Sequence, residues 1–251
     1  MVILKSSREI EKLYISNQIV AEILSMLESE VRPGVDTLYL NDLSERLAHE
    51  RKAIPAFKGY RGFPYALCAS VNNVVVHGIP SKKPLVEGDI LSLDFGILGE
   101  GYYGDAAITV DVGKISETAA RLSRVTQEAL FKGIEKAVPN GRLSDISHAI
   151  QSHVETAGFS VVREFVGHGI GSKLHEEPPI PNFGKPGRGI RLKAGMTLAI
   201  EPMVNEKGYD VKVLEDGWTA VTKDGSLSAH FEHTIAITEN GPVILSEIDR
   251  G

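Results

Sequence analysis

Apolar residues recur with helical spacing at the start of the chain, directly after a helix-start signal. Ser6 and Glu9 have the spacing of a capping box. The pattern predicts a long amphipathic helix that ends before the Pro-Gly pair at 33–34. The apolar positions of this helix are Ile10, Leu13, Val20, Leu24 and Leu27.

The rest of the chain alternates between helical and strand-like patterns. Further helices are predicted over 36–52, where Asp36 or Thr37 opens the helix, over 117–137 and over 144–157. Apolar runs predict strands at 66–76, 89–97, 102–112, 160–167, 196–204, 209–222 and 229–239. Two helices followed by several strands thus occur twice, which indicates a mixed α/β (α+β) fold.

Short strings support an internal repeat. The segment 87–94, EGDILSLD, resembles the segment 194–201, AGMTLAIE, and each ends an apolar strand with a carboxylate, Asp94 or Glu201. Two such halves packed face to face would bring these two carboxylates into one site. Because we find no linker, we predict a single domain over 1–251 with a pseudo-two-fold repeat, about 1–113 and 114–251. A chance match of short strings is the alternative.

Composition narrows the class of protein. The chain has 251 residues, of which 42% are hydrophobic and 24% charged, as is typical of globular domains that need no covalent staples. Cys68 is the single cysteine, which fits a reducing compartment. A net charge of −6 argues against DNA as a partner. No stretch approaches the roughly 20 apolar residues of a membrane span, and charged residues interrupt the N-terminal stretch where a signal peptide needs its apolar core. We therefore expect a cytoplasmic protein.

Four carboxylates lie in strand-like runs that are otherwise almost free of charge. They are Asp94 in LSLDFGI, Asp105 in GYYGDAAITV, Glu201 in TLAIEPMV and Glu232 in SAHFEHTIAIT. Any one of them could face outward from a strand, but the runs around Asp94 and Glu201 are apolar at nearly every position, as in strands buried on both faces. Burying an unpaired carboxylate costs several kcal/mol, and no lysine or arginine lies in these windows. Bound metal ions are the expected compensation.

Histidines complete the candidate ligand set. His168 lies between two glycines in GHGIG, His175 follows seven residues later, and His77 ends the run VVVH. Each could instead be an ordinary turn, surface or core histidine. The GHGIG spacing is not that of a phosphate-binding loop, and a clean helix start does not follow it. One imidazole with four carboxylates suits Mn²⁺, Fe²⁺ or Co²⁺, with Zn²⁺ as a further choice.

The charge of the ligand set indicates how many ions it would hold. Four carboxylates balance two divalent cations, so we expect a dinuclear centre. Two ions roughly 3.5–4 Å apart can bridge a water, lower its pKa so that it becomes hydroxide near neutral pH, and polarise a carbonyl.

Six strings in one order resemble the type I methionine aminopeptidases of the short bacterial form, almost from end to end. They are VVHGIP (75–80), EGDILSLDFG (87–96), GYYGDAAITVDVG (101–113), GHGIGSKLHEEPPIPNF (167–183), GMTLAIEPMV (195–204) and DGWTAVTKDGSLSAHFEHTIAIT (216–238). Because the resemblance is to the short form, we expect no zinc-binding N-terminal extension of the eukaryotic type I kind. Only 33 positions separate His168 from Glu201, which leaves no room there for the long insertion of type II enzymes.

The resemblance implies a fold, an activity and a set of site residues. The fold would be the pita-bread fold, two pseudo-symmetric helix-helix-strand halves around a central antiparallel sheet. The activity would be removal of the N-terminal methionine from nascent proteins whose second residue is small, by a hydroxide that two divalent metal ions (Co, Mn, Fe or Zn) activate. The implied metal ligands are Asp94, Asp105, His168, Glu201 and Glu232. Catalysis would also use His77, His175 and Glu201, the two histidines contacting substrate.

The resemblance also implies an apolar slot for the methionine side chain. Its walls would be Phe57, Tyr60, Phe63, Cys68, Leu174 and Trp218, each of which could otherwise be a core residue. The chain departs from the family's usual residues at Phe57, Phe63, Ala106 and Leu174. These departures concern the shape of the pocket rather than the metal ligands.

Three other readings compete with this one. A related pita-bread peptidase that cleaves X-Pro bonds shares the ligands but usually carries a large N-terminal domain. A non-catalytic binding module on the same fold would not need every ligand and both accessory histidines. A mononuclear iron oxygenase requires two histidines and one carboxylate.

The expected partner is the N-terminal methionine of nascent chains. We expect no membrane partner, and we expect the protein to be a monomer. The basic positions Lys185, Arg188, Arg191 and Lys193 form a solvated loop or a transient ribosome contact.

Overall fold

The computed structural model describes residues 2–248, and the four α-helices in this range all match predicted ones. They are α1 (Ser7–Glu30), α2 (Thr37–Glu50), α3 (Glu117–Ile134) and α4 (Leu143–Thr156). At the start of α1, the Glu9 carboxylate accepts hydrogen bonds from the backbone N–H of Ser6 at 2.8 Å and from its hydroxyl at 2.7 Å. The Asp36 carboxylate caps α2 by accepting from the N–H of Tyr39 at 2.8 Å. Local capping chemistry therefore fixes where these two helices begin.

Fifteen strands follow and separate the helices within the described residues. They are β1 (Ile54–Pro55), β2 (Leu67–Val71), β3 (Val74–Val76), β4 (Ile90–Gly99), β5 (Tyr102–Asp111), β6 (Ser160–Val161), β7 (Gly167–Gly169), β8 (Glu176–Ile180), β9 (Thr197–Ile200), β10 (Met203–Asn205), β11 (Val211–Val213), β12 (Ala220–Thr222), β13 (Ser228–His230), β14 (Glu232–Thr238) and β15 (Gly241–Ile244). Nine of them form one antiparallel sheet in the order β1-β4-β5-β14-β9-β7-β8, with β2 on β4 and β15 on β14. Two small sheets, β13-β10-β6 and β11-β12-β3, complete the fold.

Several predicted strands are wrong in extent because the backbone turns within them. The interrupted runs are 66–76, 160–167, 196–204, 209–222 and 229–239. Asn72 adopts a left-handed φ of 54° between β2 and β3, which starts a turn instead of continuing the strand. Pro202 follows Glu201 between β9 and β10 and has no N–H to donate to a strand partner. Strands β1, β8 and β15 were not predicted.

Most of the packing of helices on the sheets is in two large hydrophobic cores. One core joins α1 and α2 to β2, β4 and β5, and Leu24, Leu91 and Phe95 are buried in it. The other joins α3 and α4 to β9, β13 and β14. Helix α1 lies so close to β5 that a Cβ at Gly104 would be 2.7 Å from the backbone of Ser16. Gly104 is thus required by the approach of the helix to the strand.

The two parts of the chain are joined through the middle of the nine-stranded sheet. Strand β5 pairs with β14, with Ala107 opposite Glu232 and Ala106 opposite His233. Because β14 also pairs with β9, strands from the first and second halves of the sequence form one continuous surface. None of the helices within residues 2–248 has the length and apolar character needed to cross a bilayer.

Candidate metal centre and active site

Strand register places the predicted ligands of β4, β5 and β14 on one face of the sheet. Asp94 on β4 is paired with Ala107 on β5, and the same Ala107 is paired with Glu232 on β14. Directly paired residues share a face, and so do residues two apart on one strand. Asp105, two residues before Ala107, therefore lies on the same face as Asp94 and Glu232.

The same rule brings in the ligands of the second half. His168 on β7 is paired with Ala199 on β9, and Glu201 follows two residues later. The Nε2 atom of His168 lies 3.6 Å from Oε1 of Glu201 and 3.9 Å from Oδ2 of Asp105. Single ligand atoms of Asp105, His168 and Glu232 all lie within 4.8 Å of one another. The face that carries these five side chains is called the ligand face below.

The glycines on either side of His168 are explained by strand packing. A Cβ at Gly167 would collide with the carbonyl oxygen of Ala199, and one at Gly169 would collide with the carbonyl of Glu177. Strand β7 therefore fits between β8 and β9 only if its first and last residues have no side chain. The imidazole of His168 is consequently held on the ligand face by neighbours that leave its backbone no space to shift.

Burial dominates the electrostatics of Asp94, Asp105, Glu201 and Glu232, which we call the site carboxylates. Burial raises the pKa of Asp94 to about 7. Burial, followed by the negative charge of neighbouring carboxylates, raises the pKa of Asp105, Glu201 and Glu232 well above the ordinary range. Without a cation, this group of four therefore resists full ionisation.

The surroundings of the site carboxylates fit divalent metal ions. Within residues 2–248, no lysine or arginine lies within 4 Å of them, and their basic neighbours at that distance are the imidazoles of His168 and His230. Oδ1 of Asp105 and Oε1 of Glu232 are buried and accept no hydrogen bond. Buried anionic oxygens without donors are costly unless they bind a cation. An oxygen-rich set with imidazole suits Mn²⁺, Fe²⁺, Co²⁺ or Zn²⁺.

The histidines near the site are neutral at physiological pH. Burial lowers the pKa of His168 to about 4. His175 is more exposed, and desolvation at the cavity, followed by the effects of His168 and Arg61, lowers its pKa to about 3. The neutral ring of His168 donates from Nδ1 to the carbonyl of Gly169 at 2.9 Å. This hydrogen bond leaves the lone pair of Nε2 directed at the carboxylates, as a metal ligand requires.

Every residue predicted for the site lines one cavity, of about 160 Å³. Its walls are Phe57, Tyr60, Arg61, Phe63, Cys68, His77, Asp94, Asp105, His168, Leu174, His175, Glu201, Trp218 and Glu232. The polar members include the ligand face, and the apolar members form the remaining wall. A single buried water needs about 15 Å³ of cavity volume. A cavity of about 160 Å³ therefore has space for one amino-acid residue.

Aromatic contacts fix the wall opposite the ligand face. The rings of Phe63 and Trp218 meet edge to face with centroids 5.2 Å apart. His77 contacts Phe165 at 5.3 Å and Trp218 at 6.4 Å, again edge to face. A left-handed φ of 58° at His77 turns the chain directly after β3. Such strain at a non-glycine residue persists only where surrounding contacts hold it.

Comparison with known proteins identifies the family. The profile of "Metallopeptidase family M24" matches residues 11–239. A methionine aminopeptidase of Clostridium perfringens is 55% identical over 99% of this chain and 100% of its own length. Methionine aminopeptidase 1 of Bacillus subtilis is 51% identical, again over 99% and 100%. The chain belongs to the methionine aminopeptidases of family M24.

Solved structures agree on the fold of this family member. The crystal structure of methionine aminopeptidase from Rickettsia prowazekii superposes with a TM-score of 0.97 at 42% identity, covering 98% of this chain and all of that one. A prolidase from Pyrococcus furiosus, 23% identical, has a TM-score of 0.81 over 99% of this chain and 66% of its own, which shows a shared fold alone. The chain has the pita-bread fold, and the predicted α/β class with a central antiparallel sheet is confirmed.

Two residues at the site were not singled out by the sequence, and one residue expected to affect the pocket lies outside it. Arg61 lines the cavity with a left-handed φ of 48°, and no motif indicated it. His230 joins Glu201 and Glu232 in a second group of potential ligands. It could have been found because it lies two residues before Glu232 and so shares its face. Ala106, expected to affect the pocket, instead packs in the core beneath α1, because it alternates with Asp105.

Proposed function

We propose that this chain removes the N-terminal methionine from polypeptides whose second residue is small, by metal-dependent hydrolysis. One observation carries the proposal. The buried ligand face forms one wall of a small cavity whose remaining wall is largely apolar and aromatic, in a chain 55% identical to a methionine aminopeptidase over its full length. Such a cavity suits an enzyme that accepts a single terminal residue and holds its backbone against metal ions.

Two divalent cations, Co²⁺, Mn²⁺, Fe²⁺ or Zn²⁺, are proposed as cofactors. The residues that would hold them are His168 and the site carboxylates, whose four negative charges balance two such ions. Bound metal ions supply Lewis acidity toward a carbonyl and lower the pKa of water, so that hydroxide is available near neutral pH. The unsatisfied oxygens of Asp105 and Glu232 support their part in this set.

Three side chains are proposed to act on the substrate. Glu201 lies in the cavity wall beside His168 and is proposed both to bind metal and to accept and return the proton of the attacking water. His175 is proposed to donate a hydrogen bond to the oxygen that becomes negatively charged as the amide is attacked. His77, on the aromatic wall, is proposed to contact the scissile amide.

The methionine side chain is proposed to fill the apolar part of the cavity. The lining there is Phe57, Tyr60, Phe63, Cys68, Leu174 and Trp218. An aromatic wall suits a long, unbranched and polarisable thioether. A lysine side chain would have to bury its ammonium without a partner and is therefore excluded. A slot of this kind separates side chains that differ by one methylene by only about 1–3 kcal/mol, so norleucine should be accepted as well.

We further propose that 1–251 is one catalytic domain built from pseudo-symmetric halves, about 1–113 and 114–251. The pairing of β5 with β14 supports this, because it joins the two halves inside one sheet. We propose that the protein acts as a monomer in the cytoplasm, where nascent chains expose their N-termini. The exposed basic loop with Lys185, Arg188, Arg191 and Lys193 would contact the ribosome transiently.

The proposal is tested by kcat/KM on four peptides with the metal-loaded protein. Met-Ala-Ser and a Met-Gly peptide should be cleaved, Met-Lys weakly or not at all, and Ala-Pro not at all. Protein stripped with a chelator is the control and should be inactive until metal is restored. A preference for Ala-Pro over Met-Ala-Ser would instead identify an X-Pro peptidase, and metal binding without cleavage of any peptide would identify a binding module.

A further inference from the structure

One imidazole on the ligand face is not part of the ligand set proposed above. His230 ends β13, two residues before Glu232, and its side chain is buried. Within residues 2–248, its Nε2 atom has no hydrogen-bond partner. A buried ring nitrogen that is neither solvated nor bonded is unfavourable, so its surroundings should contain something that it binds when the protein is functional.

The position of this nitrogen mirrors that of a proposed ligand. Nε2 of His168 lies 3.6 Å from Oε1 of Glu201, and Nε2 of His230 lies 3.7 Å from Oε2 of the same carboxylate. Both distances are too long for hydrogen bonds, but both suit two ligand atoms of one ion. Ligand atoms of Glu201, His230 and Glu232 all lie within 4.8 Å of one another. Atoms on opposite sides of one ion are about 4.2 Å apart, given metal–ligand distances of about 2.1 Å.

We infer that Nε2 of His230 is a further metal ligand, which gives the centre two imidazoles and four carboxylates. This inference rests on the proposed function, since it assigns a residue to the metal centre described there. It adds a second nitrogen donor beside Glu201, on the carboxylate oxygen that does not face His168.

The backbone of His230 is held in place for this role. Its N–H donates to Oγ1 of Thr109 at 3.0 Å, and the Thr109 hydroxyl donates back to its carbonyl at 2.8 Å. Thr109 is on β5, the strand that also carries Asp105. A single side chain therefore satisfies both backbone groups of His230 and ties them to a strand of the ligand face. Such support from outside the ligand set is what keeps a ligand in position.

A second imidazole should change which metals the centre prefers. Carboxylates and water favour Mn²⁺ and Mg²⁺, whereas imidazole favours Zn²⁺ and the later transition metals. Removing the nitrogen of His230 should therefore weaken binding of Zn²⁺ and Co²⁺ more than binding of Mn²⁺. A glutamine at this position could still offer a carbonyl oxygen, whereas a leucine of similar size offers no ligand atom.

The experiment is a calorimetric titration of the metal-free protein with Zn²⁺ and with Mn²⁺. In His230→Gln, Zn²⁺ affinity should fall at least about tenfold while Mn²⁺ affinity changes less. In His230→Leu, both should fall, Zn²⁺ the more. The matched control is His233→Gln, which removes a half-buried imidazole from the opposite face of β14, where its Nδ1 lies 2.8 Å from the hydroxyl of Ser246. The control should bind both metals like the wild type, and circular dichroism of each metal-free variant checks that it is folded.

A second measurement needs no variant. In the Co²⁺-loaded wild type, proton NMR in water should show exchangeable N–H resonances shifted by the metal from two imidazoles, those of His168 and His230. One such resonance, or Zn²⁺ and Mn²⁺ affinities unchanged in folded His230 variants, would overturn the inference and leave His230 as a residue that positions Glu201. Failure of the wild type to bind any divalent ion would be different, since that would overturn the proposed function itself.

Discussion

The hydroxyl of Tyr60 lies 2.9 Å from Nδ1 of His175, and the two rings stack with centroids 5.3 Å apart. Because His175 is neutral, one ring nitrogen carries a proton and the other accepts. A phenol is a better donor than acceptor, so Tyr60 should donate to Nδ1 and leave the proton on Nε2. His175 is then prepared to donate a hydrogen bond from Nε2, as the proposed role at the substrate oxygen requires.

Tyr60→Phe should lower kcat modestly and leave metal content unchanged. The variant loses one hydrogen bond, worth about 0.5–1.5 kcal/mol, which corresponds to roughly two- to twelvefold in rate. Stacking on His175 is retained, so KM for Met-Ala-Ser should change less than kcat. Steady-state kinetics with metal analysis provides the measurement. An unchanged kcat would show that Tyr60 does not select the tautomer of His175.

Glu201→Gln and Glu232→Gln should each lose metal affinity together with activity. Either change removes a negative charge from a site that is proposed to hold two divalent cations, and an amide is a weaker ligand than a carboxylate. Metal content after dialysis is the measurement. Glu239→Gln, an exposed residue directly after β14, is the matched control and should keep its metal. Two tightly bound ions in Glu201→Gln would contradict the role of Glu201 as a ligand. The native carboxylate could still transfer a proton.

His175→Ala and His77→Ala should lower kcat by roughly 10²–10³-fold on Met-Ala-Ser. Both residues are proposed to contact substrate rather than metal, so the number of bound ions should not change. Calorimetric metal titration of each variant tests that distinction. Loss of metal from His175→Ala would move this histidine into the ligand set.

The metal-free protein should become less stable as pH rises above about 6.5. The site carboxylates hold protons in the native state at pH values where they are ionised in the unfolded chain, because their native pKa is raised, to about 7 for Asp94. The contribution of these protons to stability is therefore full at pH values below the carboxylate pKa of the unfolded chain. It is lost as pH rises through the raised native pKa. Between about pH 4 and 6.5, buried histidines such as His168, with native pKa values lowered, oppose this trend.

Urea unfolding with a chelator present, at pH 7.5 and at pH 8.5, measures this effect. Histidines are almost neutral in both states above about pH 7.5, so the raised carboxylate pKa values should make the free energy of unfolding fall. Burial also raises the pKa of the Cys68 thiol, which adds a smaller fall with or without metal. With saturating metal the carboxylates are ionised in the native state, and the fall should become smaller. An equal fall with and without metal would place its cause outside the site.

Lys5→Met should destabilise the protein by about 3–5 kcal/mol. The Lys5 ammonium and the Glu176 carboxylate form an ion pair at 2.5 Å, with side chains only 5% and 6% exposed, so the substitution leaves a buried charge unpaired. Urea unfolding of the metal-loaded protein is the measurement, and Lys5→Met with Glu176→Gln should recover much of the loss. Arg46→Met, in an exposed pair with Glu50, should cost at most about 1 kcal/mol. A similar cost for Lys5→Met would show that water reaches the buried pair.

Local signals in the sequence were enough to predict the helices. The capping box of Ser6 and Glu9 and the aspartate at 36 each act within one turn, so neighbours in sequence contain the information. Strand β8 was missed because its sequence, EEPPI, has two charges and two prolines. It belongs to the sheet through pairing with β7, which is a property of the tertiary fold.

The candidate ligands were also accessible from sequence, but their arrangement was not. Isolated carboxylates in apolar strands indicated a metal site without any knowledge of strand order. Asp94 and Glu232 are both paired with the same alanine of β5. This arrangement depends on the register between distant strands, which no local pattern specifies. The position of His230 two residues before Glu232 was a usable signal, but its proximity to Glu201 depends on the tertiary fold.

The insertion of β14 between β5 and β9 has a consequence for biosynthesis. A growing chain makes the strands that carry Asp94 and Asp105 before the strand that carries Glu232. Until β14 enters the sheet, strands β5 and β9 lack their shared partner, and the ligand face lacks one of its four carboxylates. The ligand set is therefore completed only when β14 has been made and has paired with both strands.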